Sequence, residues 1–310
     1  MSKLRAAVVG VGYLGRFHAQ KYKLLPQVEL VGVFDAHSDQ AKKVAEELSV
    51  KTFSSIEEVA KEVDLVTVAA TTSAHYELVK FFLTQGIHVN VEKPMTSTVE
   101  QAREICELAR KNNLKLQVGH VERFNPALVA AQQKLERPLF IECHRLAPFK
   151  PRGIDVSVVL DLMIHDLDVV LSLVKSKVKA IHAIGANVLT KTADLANVRL
   201  EFESGAVVNI TSSRVSQNAQ RKFRVFQNNQ YLSIDFGSGE VVLLTKVGEF
   251  SGSELPIEKE TWSLDKGDAL LAETESFVNS VINDTACVVT GEDGLAALEL
   301  AEQIIAKIEN

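Results

Sequence analysis

Residues 4–35 read LRAAVVGVGYLGRFHAQKYKLLPQVELVGVFD, and this stretch decides the fold of the first part of the chain. A short apolar run is followed at once by three glycines in the spacing G-x-G-x-x-G, namely Gly10, Gly12 and Gly15. The pattern then changes to that of a helix and ends in a second apolar run, which Asp35 closes. A strand, a glycine-rich turn, a helix and a second strand in this order predict a βαβ unit that binds a dinucleotide.

Each glycine of the turn has its own physical task in such a site. Gly10 permits the tight turn, Gly12 lets a pyrophosphate approach the backbone, and Gly15 lets the helix pack closely on the strand. The start of the helix adds free N–H groups and a partial positive charge, which stabilise phosphates. The predicted cofactor contacts in this turn are Gly10, Gly12, Tyr13, Leu14 and Gly15.

Asp35 lies 20 residues beyond Gly15, at the end of the second predicted strand. A carboxylate at this position accepts hydrogen bonds from the hydroxyls of the adenosine ribose and repels a 2′-phosphate. Ala36 and His37 follow, so no arginine stands there to bind that phosphate. The sequence therefore predicts NAD rather than NADP as the cofactor.

Further apolar runs alternate with amphipathic segments up to residue 120. This alternation predicts an α/β fold with a doubly wound parallel sheet, and we assign residues 1–120 to an NAD-binding Rossmann domain. Ligands bind at the loops that follow the strands of such sheets. These loops add Thr71, Thr72, His75, Glu92 and Lys93 to the predicted cofactor contacts. A helix cap formed by Ser73 is the alternative interpretation of the first loop.

Beyond residue 120 the chain reads as successive strands joined by turn sequences, from Val178 to Val247, and helices then return. Short strands joined in this way form an antiparallel meander. For residues 121–310 we therefore predict an α+β domain with one large, mostly antiparallel sheet. We leave open that the last helix packs back on the Rossmann domain.

The segment Val158–Val174 is apolar almost all round, which predicts a buried helix. Four polar residues share one face of it at spacings of four, three and four: Asp161, His165, Asp168 and Ser172. Burying such groups is costly unless they are paired or serve a wet site. A structural Asp–His pair and a metal site are alternatives, although no Cys or His neighbours His165 at ligand spacing. We favour a catalytic histidine oriented by a carboxylate, without a metal.

The composition excludes several classes of protein. The 310 residues carry a formal net charge of −6 and are 46% hydrophobic, which predicts about two folded domains and argues against sequence-independent nucleic-acid binding. Cys106, Cys143 and Cys287 are too far apart for a disulfide framework or a zinc motif and fit a reducing compartment. No stretch approaches the roughly 18 apolar residues of a membrane span. We expect a soluble cytoplasmic protein with neither nucleic acid nor membrane as partner.

Three motifs in order resemble those of the Gfo/Idh/MocA oxidoreductase family: Gly10-x-Gly12-x-x-Gly15, Glu92-Lys93-Pro94 and Asp161-x-x-x-His165. The similarity covers essentially the whole chain. It implies a Rossmann domain and, in residues 121–310, a C-terminal domain that binds the substrate and whose large open sheet forms homodimers or homotetramers. It also implies a cis peptide bond before Pro94. It also implies hydride transfer between NAD(P) and a hydroxyl or carbonyl of a sugar or cyclitol.

The run VGHVERFNP at residues 118–126, with residues 148–152 and 156–168, resembles the subgroup of this family that acts on UDP-N-acetylglucosamine. That resemblance implies oxidation of the C3 hydroxyl to a 3-keto sugar, which an aminotransferase converts to a 3-amino sugar for lipid A or surface glycans. The alternatives are another sugar or cyclitol dehydrogenase, such as an inositol 2-dehydrogenase, and a non-catalytic NAD-dependent sensor. A pure sensor has no need of a buried base, so the intact Lys93 and His165 argue against it.

Under this hypothesis Lys93, His165 and Asp161 are catalytic, and Lys93 and His165, from separate halves of the chain, converge on the carbon that loses its hydrogen. His165 takes the hydroxyl proton and Asp161 fixes its tautomer. Lys93 hydrogen-bonds the reacting oxygen, or is itself the base. The predicted substrate contacts are Lys93, Glu122, Arg123, Asn125, Lys150, Arg152 and His165, with the cations Arg123, Lys150 and Arg152 on the UDP pyrophosphate. The remaining histidines, His18 among them, are interpreted as structural or exposed, except that His120 could line the site.

Overall fold

The computed structural model describes residues 3–151, 156–250, 252, 255–265 and 267–309. The chain forms two compact units, Met1–Val121 with Asp268–Leu298, and Glu122–Gly267 with Glu299–Asn310. The sequence predicts a single boundary after residue 120, whereas the chain returns to the first unit at Asp268. The sequence allowed the last helix to pack back on the first domain, but it did not predict that the return begins already at Asp268, because periodicity defines helices and strands and not the core that they join.

The first unit is built on six parallel strands. They are β1 (Leu4–Val9), β2 (Val28–Phe34), β3 (Lys51–Thr52), β4 (Leu65–Val68), β5 (His88–Val91) and β6 (Leu116–Val118). Their order in the sheet is β3-β2-β1-β4-β5-β6, so the order reverses between β1 and β4. Ligands of doubly wound sheets bind at the carboxyl ends of the strands beside such a reversal. The predicted Rossmann-type sheet is confirmed.

Five helices alternate with these strands. They are α1 (Tyr13–Leu24), α2 (Ser38–Leu48), α3 (Ile56–Glu62), α4 (Thr72–Thr84) and α5 (Val99–Lys111). The side chains of Ser55 and Thr98 accept hydrogen bonds from backbone N–H groups and so cap α3 and α5. All four residues of β4 are buried, as expected for a strand that helices cover on both faces.

The second unit carries an eight-stranded sheet with helices. Its elements are α6 (Pro126–Gln132), β7 (Phe140–Leu146), α7 (Ile164–Val174), β8 (Val178–Ala186), β9 (Leu195–Phe202), β10 (Val207–Ser213), β11 (Gln220–Gln227), β12 (Gln230–Asp235), β13 (Glu240–Lys246) and β14 (Ile257–Ser263). The strand order is β14-β13-β12-β11-β7-β10-β9-β8. β7 and β10 run parallel and the other neighbouring strands run antiparallel, which confirms the predicted mostly antiparallel sheet. The central place of β7 was not predicted.

The core of the second unit lies against one face of this sheet. Alternate residues of β7 are buried, and they include Ile141 and Cys143. Side chains of α6 and α7, among them Leu128 and Leu167, belong to the same apolar cluster. Because α7 packs on β7, the position of the polar residues in α7 is set by this sheet.

Two helices complete the chain, α8 (Ala269–Ile282) and α9 (Gly291–Glu309). Helix α8 packs on α1 and contributes Phe277 and Val278 to the core of the first unit, which explains why the chain returns there. The unit boundary falls within α9, after Leu298. Across the described residues, no helix has both the length and the apolar character that crossing a membrane requires.

Candidate active site

The glycine-rich turn joins β1 to α1, and its three glycines meet different surroundings. Gly10 has φ +84°, and a Cβ there would lie 2.5 Å from the backbone nitrogen of Ala70. A Cβ at Gly15 would overlap the carbonyl oxygen of Gly10. The protein's own packing therefore requires both glycines. In the described structure no atom lies within 4 Å of a Cβ placed on Gly12, so the space in front of Gly12 can accept a ligand.

The first turn of α1 suits an anion. It contains no acidic residue, and within the described chain no side chain caps its N–H groups. Tyr13 is 73% exposed and Leu14 is 46% exposed, so both predicted cofactor contacts are accessible. Free N–H groups and the helix dipole at this turn would stabilise the phosphates of a dinucleotide.

Asp35 follows β2 and is fixed beside the glycine-rich turn. Its Oδ2 accepts a hydrogen bond of 2.8 Å from the N–H of Val11, and its Oδ1 accepts one of 2.8 Å from the N–H of His37. A carboxylate oxygen has two lone pairs, so each oxygen keeps one for a ribose hydroxyl. The turn, the first helix and Asp35 together fit NAD.

Thr71 and Thr72 stand at the start of α4, after β4. Thr71 is exposed, and its hydroxyl lies 3.3 Å from that of Ser73. Helix α4 begins at Thr72, and no described side chain donates or accepts a capping hydrogen bond there. The alternative in which Ser73 caps this helix is therefore wrong, and the loop remains a candidate for cofactor contact.

His75 lies one turn further into α4 and is buried. Its Nδ1 is 2.9 Å from the carbonyl oxygen of Pro94, and its Nε2 is 3.0 Å from that of Ala70. Burial lowers the pKa of His75, although two carbonyl oxygens favour the protonated ring. Each ring nitrogen thus lies within hydrogen-bond distance of a backbone carbonyl oxygen, and the single N–H of the neutral ring can donate to one of them. His75 lies between two loops of the site, and its predicted contact with the cofactor stays a prediction.

The Glu92-Lys93-Pro94 motif follows β5, and the Lys93–Pro94 peptide bond is cis, as the family resemblance implies. Lys93 is half-buried, whereas Glu92 is buried. The Oε1 of Glu92 lies 2.8 Å from the Nε2 of His18, and its Oε2 accepts a hydrogen bond of 3.1 Å from the N–H of Lys93. Glu92 therefore holds this turn through both carboxylate oxygens, and its predicted contact with the cofactor stays a prediction.

Sequence reasoning missed two buried residues of this region, namely His18 on α1, which contacts Glu92, and Glu273 on α8, which contacts Asn90 two residues before Glu92. The Oε1 of Glu273 accepts a hydrogen bond of 3.3 Å from the side-chain amide of Asn90. Burial opposes the charge of His18, but the hydrogen bond and charge of Glu92 outweigh it and raise the pKa of His18. Burial together with the charge of Glu92 raises the pKa of Glu273 to about 7. The sequence feature that could have revealed this group is His18 itself, a histidine on the buried face of α1, four residues before Tyr22.

In the second unit, a π-helical turn at Val159–Met163 leads into α7. Asp161 lies in that turn and His165 is the second residue of α7, and both are half-buried. The sequence predicts one regular helix over this segment. A π-helical turn holds more residues than an α-helical turn, so the predicted spacing changes between Asp161 and His165. Such turns are frequent at functional sites.

The start of the π-helical segment is fastened by a buried ion pair that the sequence did not predict. Asp194 accepts a hydrogen bond of 2.8 Å from the Nε of Arg214 and further bonds from the backbone N–H groups of Val188, Leu189 and Thr190. The Nη1 of Arg214 donates a bond of 2.8 Å to the carbonyl oxygen of Val156. The loop between β8 and β9 thus holds the chain that enters this segment.

Asp168 has a structural partner. It is buried, and its Oδ1 lies 3.4 Å from the Nη1 of Arg123. The side chain of Arg123 is only 11% exposed. The sequence predicts Arg123 as a ligand of the UDP pyrophosphate, but the structure places it against a buried carboxylate. The four predicted polar residues therefore do not act as one group, since Asp168 belongs to an ion pair, while Asp161 lies in the π-helical turn and His165 in the first turn of α7.

A second ion-pair network lies on the core-facing side of β7. Arg145 donates two hydrogen bonds of 2.9 Å to Asp166 and one of 2.9 Å to Glu122. Burial opposes the charge of Arg145, but the two carboxylates outweigh it and raise the pKa above its usual value. A charged residue on the same face as Ile141 and Cys143 was the signal that sequence reasoning missed.

The structure also changes the interpretation of Glu122 and Asn125, both predicted substrate contacts. Glu122 is buried and accepts the hydrogen bond from Arg145. The Oδ1 of Asn125 accepts a bond of 3.0 Å from the N–H of Ala127 and caps α6, and its Nδ2 lies 3.4 Å from Glu122. Their polar atoms are used within the unit because a helix start and a buried arginine both need partners.

The other predicted residues have simpler outcomes. Lys150 is exposed and so accessible to an anion. His120 is buried. Arg152 lies outside the described residues. Lys93 belongs to the first unit and His165 to the second, and their convergence on one carbon stays a prediction.

Comparison with known families gives two matches along the chain. Residues 4–120 match the model of the Gfo/Idh/MocA oxidoreductase family with an NAD-binding Rossmann fold. Residues 130–232 match the model of the GFO/IDH/MocA C-terminal domain. The two matched segments fall in the two halves that carry the parallel and the mostly antiparallel sheet.

Individual relatives agree with these matches. UDP-N-acetylglucosamine 3-dehydrogenase of Acidithiobacillus ferrooxidans is 36% identical over 311 aligned residues, which cover 100% of this chain and 98% of that enzyme. A solved structure of that enzyme has a TM-score of 0.93 at 35% identity and covers 100% of this chain and 99% of its own. Myo-inositol 2-dehydrogenase of Thermotoga maritima is 27% identical, over 96% of this chain and 94% of that enzyme.

Proposed function

This chain belongs to the Gfo/Idh/MocA family of NAD-binding oxidoreductases, and from that premise we propose that it oxidises the C3 hydroxyl of UDP-N-acetylglucosamine to the 3-keto sugar. The observation that carries the proposal is the identity of 36% over the full chain with an enzyme of that activity. The inositol dehydrogenase of similar coverage shares 27%. The motif residues Lys93, Asp161 and His165 are all present.

The first unit supplies the residues that would hold the cofactor. The open space at Gly12 and the free N–H groups of α1 suit the pyrophosphate, and Asp35 suits the adenosine ribose. Thr71 and Thr72, at the carboxyl end of β4, are candidates for the nicotinamide side. Bound NAD⁺ supplies the acceptor for the hydrogen that leaves C3 with its electron pair.

We assign the proton chemistry to three residues. His165 takes the proton of the hydroxyl as C3 is oxidised, because an imidazole has a pKa near 6.5 in water and is an effective base at neutral pH. Asp161, in the π-helical turn before His165, is assigned the role of orienting the imidazole ring. The ammonium of Lys93 would donate to the reacting oxygen and stabilise its developing negative charge.

The diphosphate of the substrate requires cations. Arg123 lies against Asp168, which leaves the exposed Lys150 as the better candidate among the described residues. Arg152 completes this part of the proposal from its position in the sequence alone. A guanidinium fork matches two phosphate oxygens, so Arg152 would add geometric selectivity that Lys150 does not provide.

The proposal extends to the setting of the reaction. A 3-keto nucleotide sugar is a substrate for an aminotransferase, which would yield a 3-amino sugar for lipid A or another surface glycan. We further propose a homodimer or homotetramer through the open face of the large sheet.

The test is NADH formation with UDP-N-acetylglucosamine, UDP-glucose and myo-inositol as separate substrates. Because such oxidations are uphill, each assay is repeated with an aminotransferase that removes the keto product. We expect turnover with UDP-N-acetylglucosamine and a loss on the order of a hundredfold or more in kcat for Lys93→Ala and for His165→Ala. Lys61→Ala, at an exposed site on α3, is the matched control. Turnover with myo-inositol alone, or NAD⁺ binding without any turnover, would reject the proposal.

A further inference from the structure

Three buried titratable side chains of the first unit meet at the end of β5, next to Lys93. Two of them, His18 and Glu92, are in direct contact, and the third, Glu273, accepts a hydrogen bond of 3.3 Å from Asn90 of β5, two residues before Glu92. His18 comes from α1, Glu92 from the end of β5 and Glu273 from α8, and all three are buried. Glu92 connects the cluster to Lys93, since it accepts from the N–H of Lys93 at 3.1 Å and lies 2.8 Å from the His18 ring. The same carboxylate has a close neighbour in Gly119, where a Cβ would lie 3.3 Å from Glu92.

The hydrogen bonds of this cluster do not involve all of its buried polar atoms. Among the described residues, neither the Nδ1 of His18 nor the Oε2 of Glu273 has a hydrogen-bond partner, and both atoms are buried. A carboxylate with an unpartnered buried oxygen is costly when ionised, so Glu273 favours its neutral form. Glu92 has both oxygens bonded and a cationic ring beside it, so it favours its ionised form.

We propose that His18 and Glu273 are positioning residues for Lys93, which act through Glu92. The imidazolium of His18 keeps Glu92 ionised and in place, and Glu92 in turn holds the backbone of Lys93. When Glu273 ionises, its charge weakens the contact through which Glu92 positions the backbone of Lys93. This inference rests on the proposed function for its catalytic consequence but not for its structural content.

The charge balance explains why Glu273 has this effect. With Glu273 protonated, one cation faces one anion. Once Glu273 ionises, two carboxylates face the single imidazolium, and the repulsion between them opposes the attraction that holds Glu92 against His18. The pKa of Glu273, raised to about 7 by burial and by Glu92, places this change near neutrality.

Other groups around Glu273 come from each element packed against it. Helix α1 presents His18 and also Tyr22, whose hydroxyl lies 2.8 Å from that of Thr67. Burial, with the charge of Glu273 adding to it, raises the pKa of Tyr22, so the phenol stays neutral. The strands β5 and β6 present two neutral amides, Asn90 at 3.3 Å from Glu273 and Gln117 at 3.4 Å from Asn90.

The first experiment needs no substrate. Infrared difference spectra of the whole protein are recorded across pH 7, and we expect the wild type to lose one band of a protonated, buried carboxylic acid as the pH rises. The band should be absent in Glu273→Gln and retained in Glu275→Gln, a matched change at an exposed position of the same helix. A wild-type spectrum without the band, or a band that survives in Glu273→Gln, overturns the proposal.

The second experiment measures turnover of the wild type and of His18→Gln, a neutral donor in place of the imidazolium. We expect kcat to fall on the order of tenfold or more while KM for NAD⁺ changes by less than about twofold, because misplacement of a reacting group affects the chemical step. The loss should be larger above pH 7, and Glu273→Gln in the same chain should restore part of it. A purely structural role would lower thermal stability without this pH dependence or rescue, and that result overturns the proposal.

The two experiments separate this inference from the proposed function. If the wild type turns over none of the substrates, the proposed function fails, while the infrared spectra still decide the ionisation of Glu273. If His18→Gln does not fold, the pH profile of kcat in Glu273→Gln replaces it. A profile that superimposes on that of the wild type overturns the positioning role.

Discussion

Replacement of Glu273 by glutamine should make the stability of this protein less dependent on pH. Glu273 is fully buried, and burial with the charge of Glu92 raises its pKa to about 7 from an ordinary value of 4.5. Between these two pH values the folded state holds a proton that the unfolded state releases. The contribution of Glu273 to stability is therefore fully present below about pH 4.5 and is lost as the pH rises through about 7.

The size of the effect follows from the difference between the two pKa values. One pKa unit corresponds to about 1.4 kcal/mol, so the loss across this interval is about 3 kcal/mol. Glutamine retains the size of the side chain and an oxygen that can accept from Asn90, but it does not ionise. Any constant cost of packing an amide cancels when the two proteins are compared at several pH values.

The assay is urea unfolding followed by circular dichroism at several values between about pH 5 and about pH 8.5, at one protein concentration. The free energy of unfolding of Glu273→Gln minus that of the wild type should rise by about 2–3 kcal/mol over this interval, most of it below pH 7, and should level off above about pH 7. Glu275→Gln, which changes an exposed acid of the same helix, should show no such rise. Parallel pH dependences for the wild type and Glu273→Gln would refute the reasoning.

Three further predictions concern the cofactor site and the second unit. Gly12→Ala should fold normally and bind NAD⁺ about tenfold or more weakly, because its Cβ enters only the space of the ligand. Gly15→Ala should instead unfold at a lower temperature even without NAD⁺, because its Cβ overlaps the carbonyl oxygen of Gly10. Binding is measured by titration calorimetry and stability by thermal unfolding, and identical behaviour of the two variants would contradict this prediction. Asp35→Asn should weaken NAD⁺ binding on the order of tenfold and narrow the preference over NADP⁺, and unchanged dissociation constants for both would count against the assignment. Asp194→Asn should lower the free energy of unfolding by about 3 kcal/mol, since it breaks a buried ion pair, whereas Glu249→Gln, in an exposed pair, should change it by less than about 0.5 kcal/mol. Burial opposes the charge of Asp194, but its hydrogen bonds outweigh burial and lower its pKa. The contribution of Asp194 to stability is therefore lost only as the pH falls below the usual titration range of aspartate. If Asp194→Asn and the wild type unfold at the same urea concentration, this prediction is contradicted.

Where a feature depends on neighbours along the chain, the sequence was sufficient. The tight turn at Gly10, the close packing at Gly15 and the carboxylate of Asp35 at the end of β2 were all predicted, because a βαβ unit places them within one continuous stretch. The alternation of strands with helices predicted the parallel sheet, and successive strands joined by turn sequences predicted the mostly antiparallel one. The regular helix predicted through Asp161 was wrong, since apolar periodicity does not reveal a π-helical turn.

The partners of the polar side chains were decided by the tertiary structure alone. His18 meets Glu92 across 74 residues, and Asn90 meets Glu273 across 183. Sequence periodicity tells which face of an element a residue occupies, but the packing of distant elements determines what that face meets. For this reason the nucleotide turn could be derived from the sequence, whereas the buried charges that hold Glu92, Glu122 and Asp168 in place emerged only once the chain was folded.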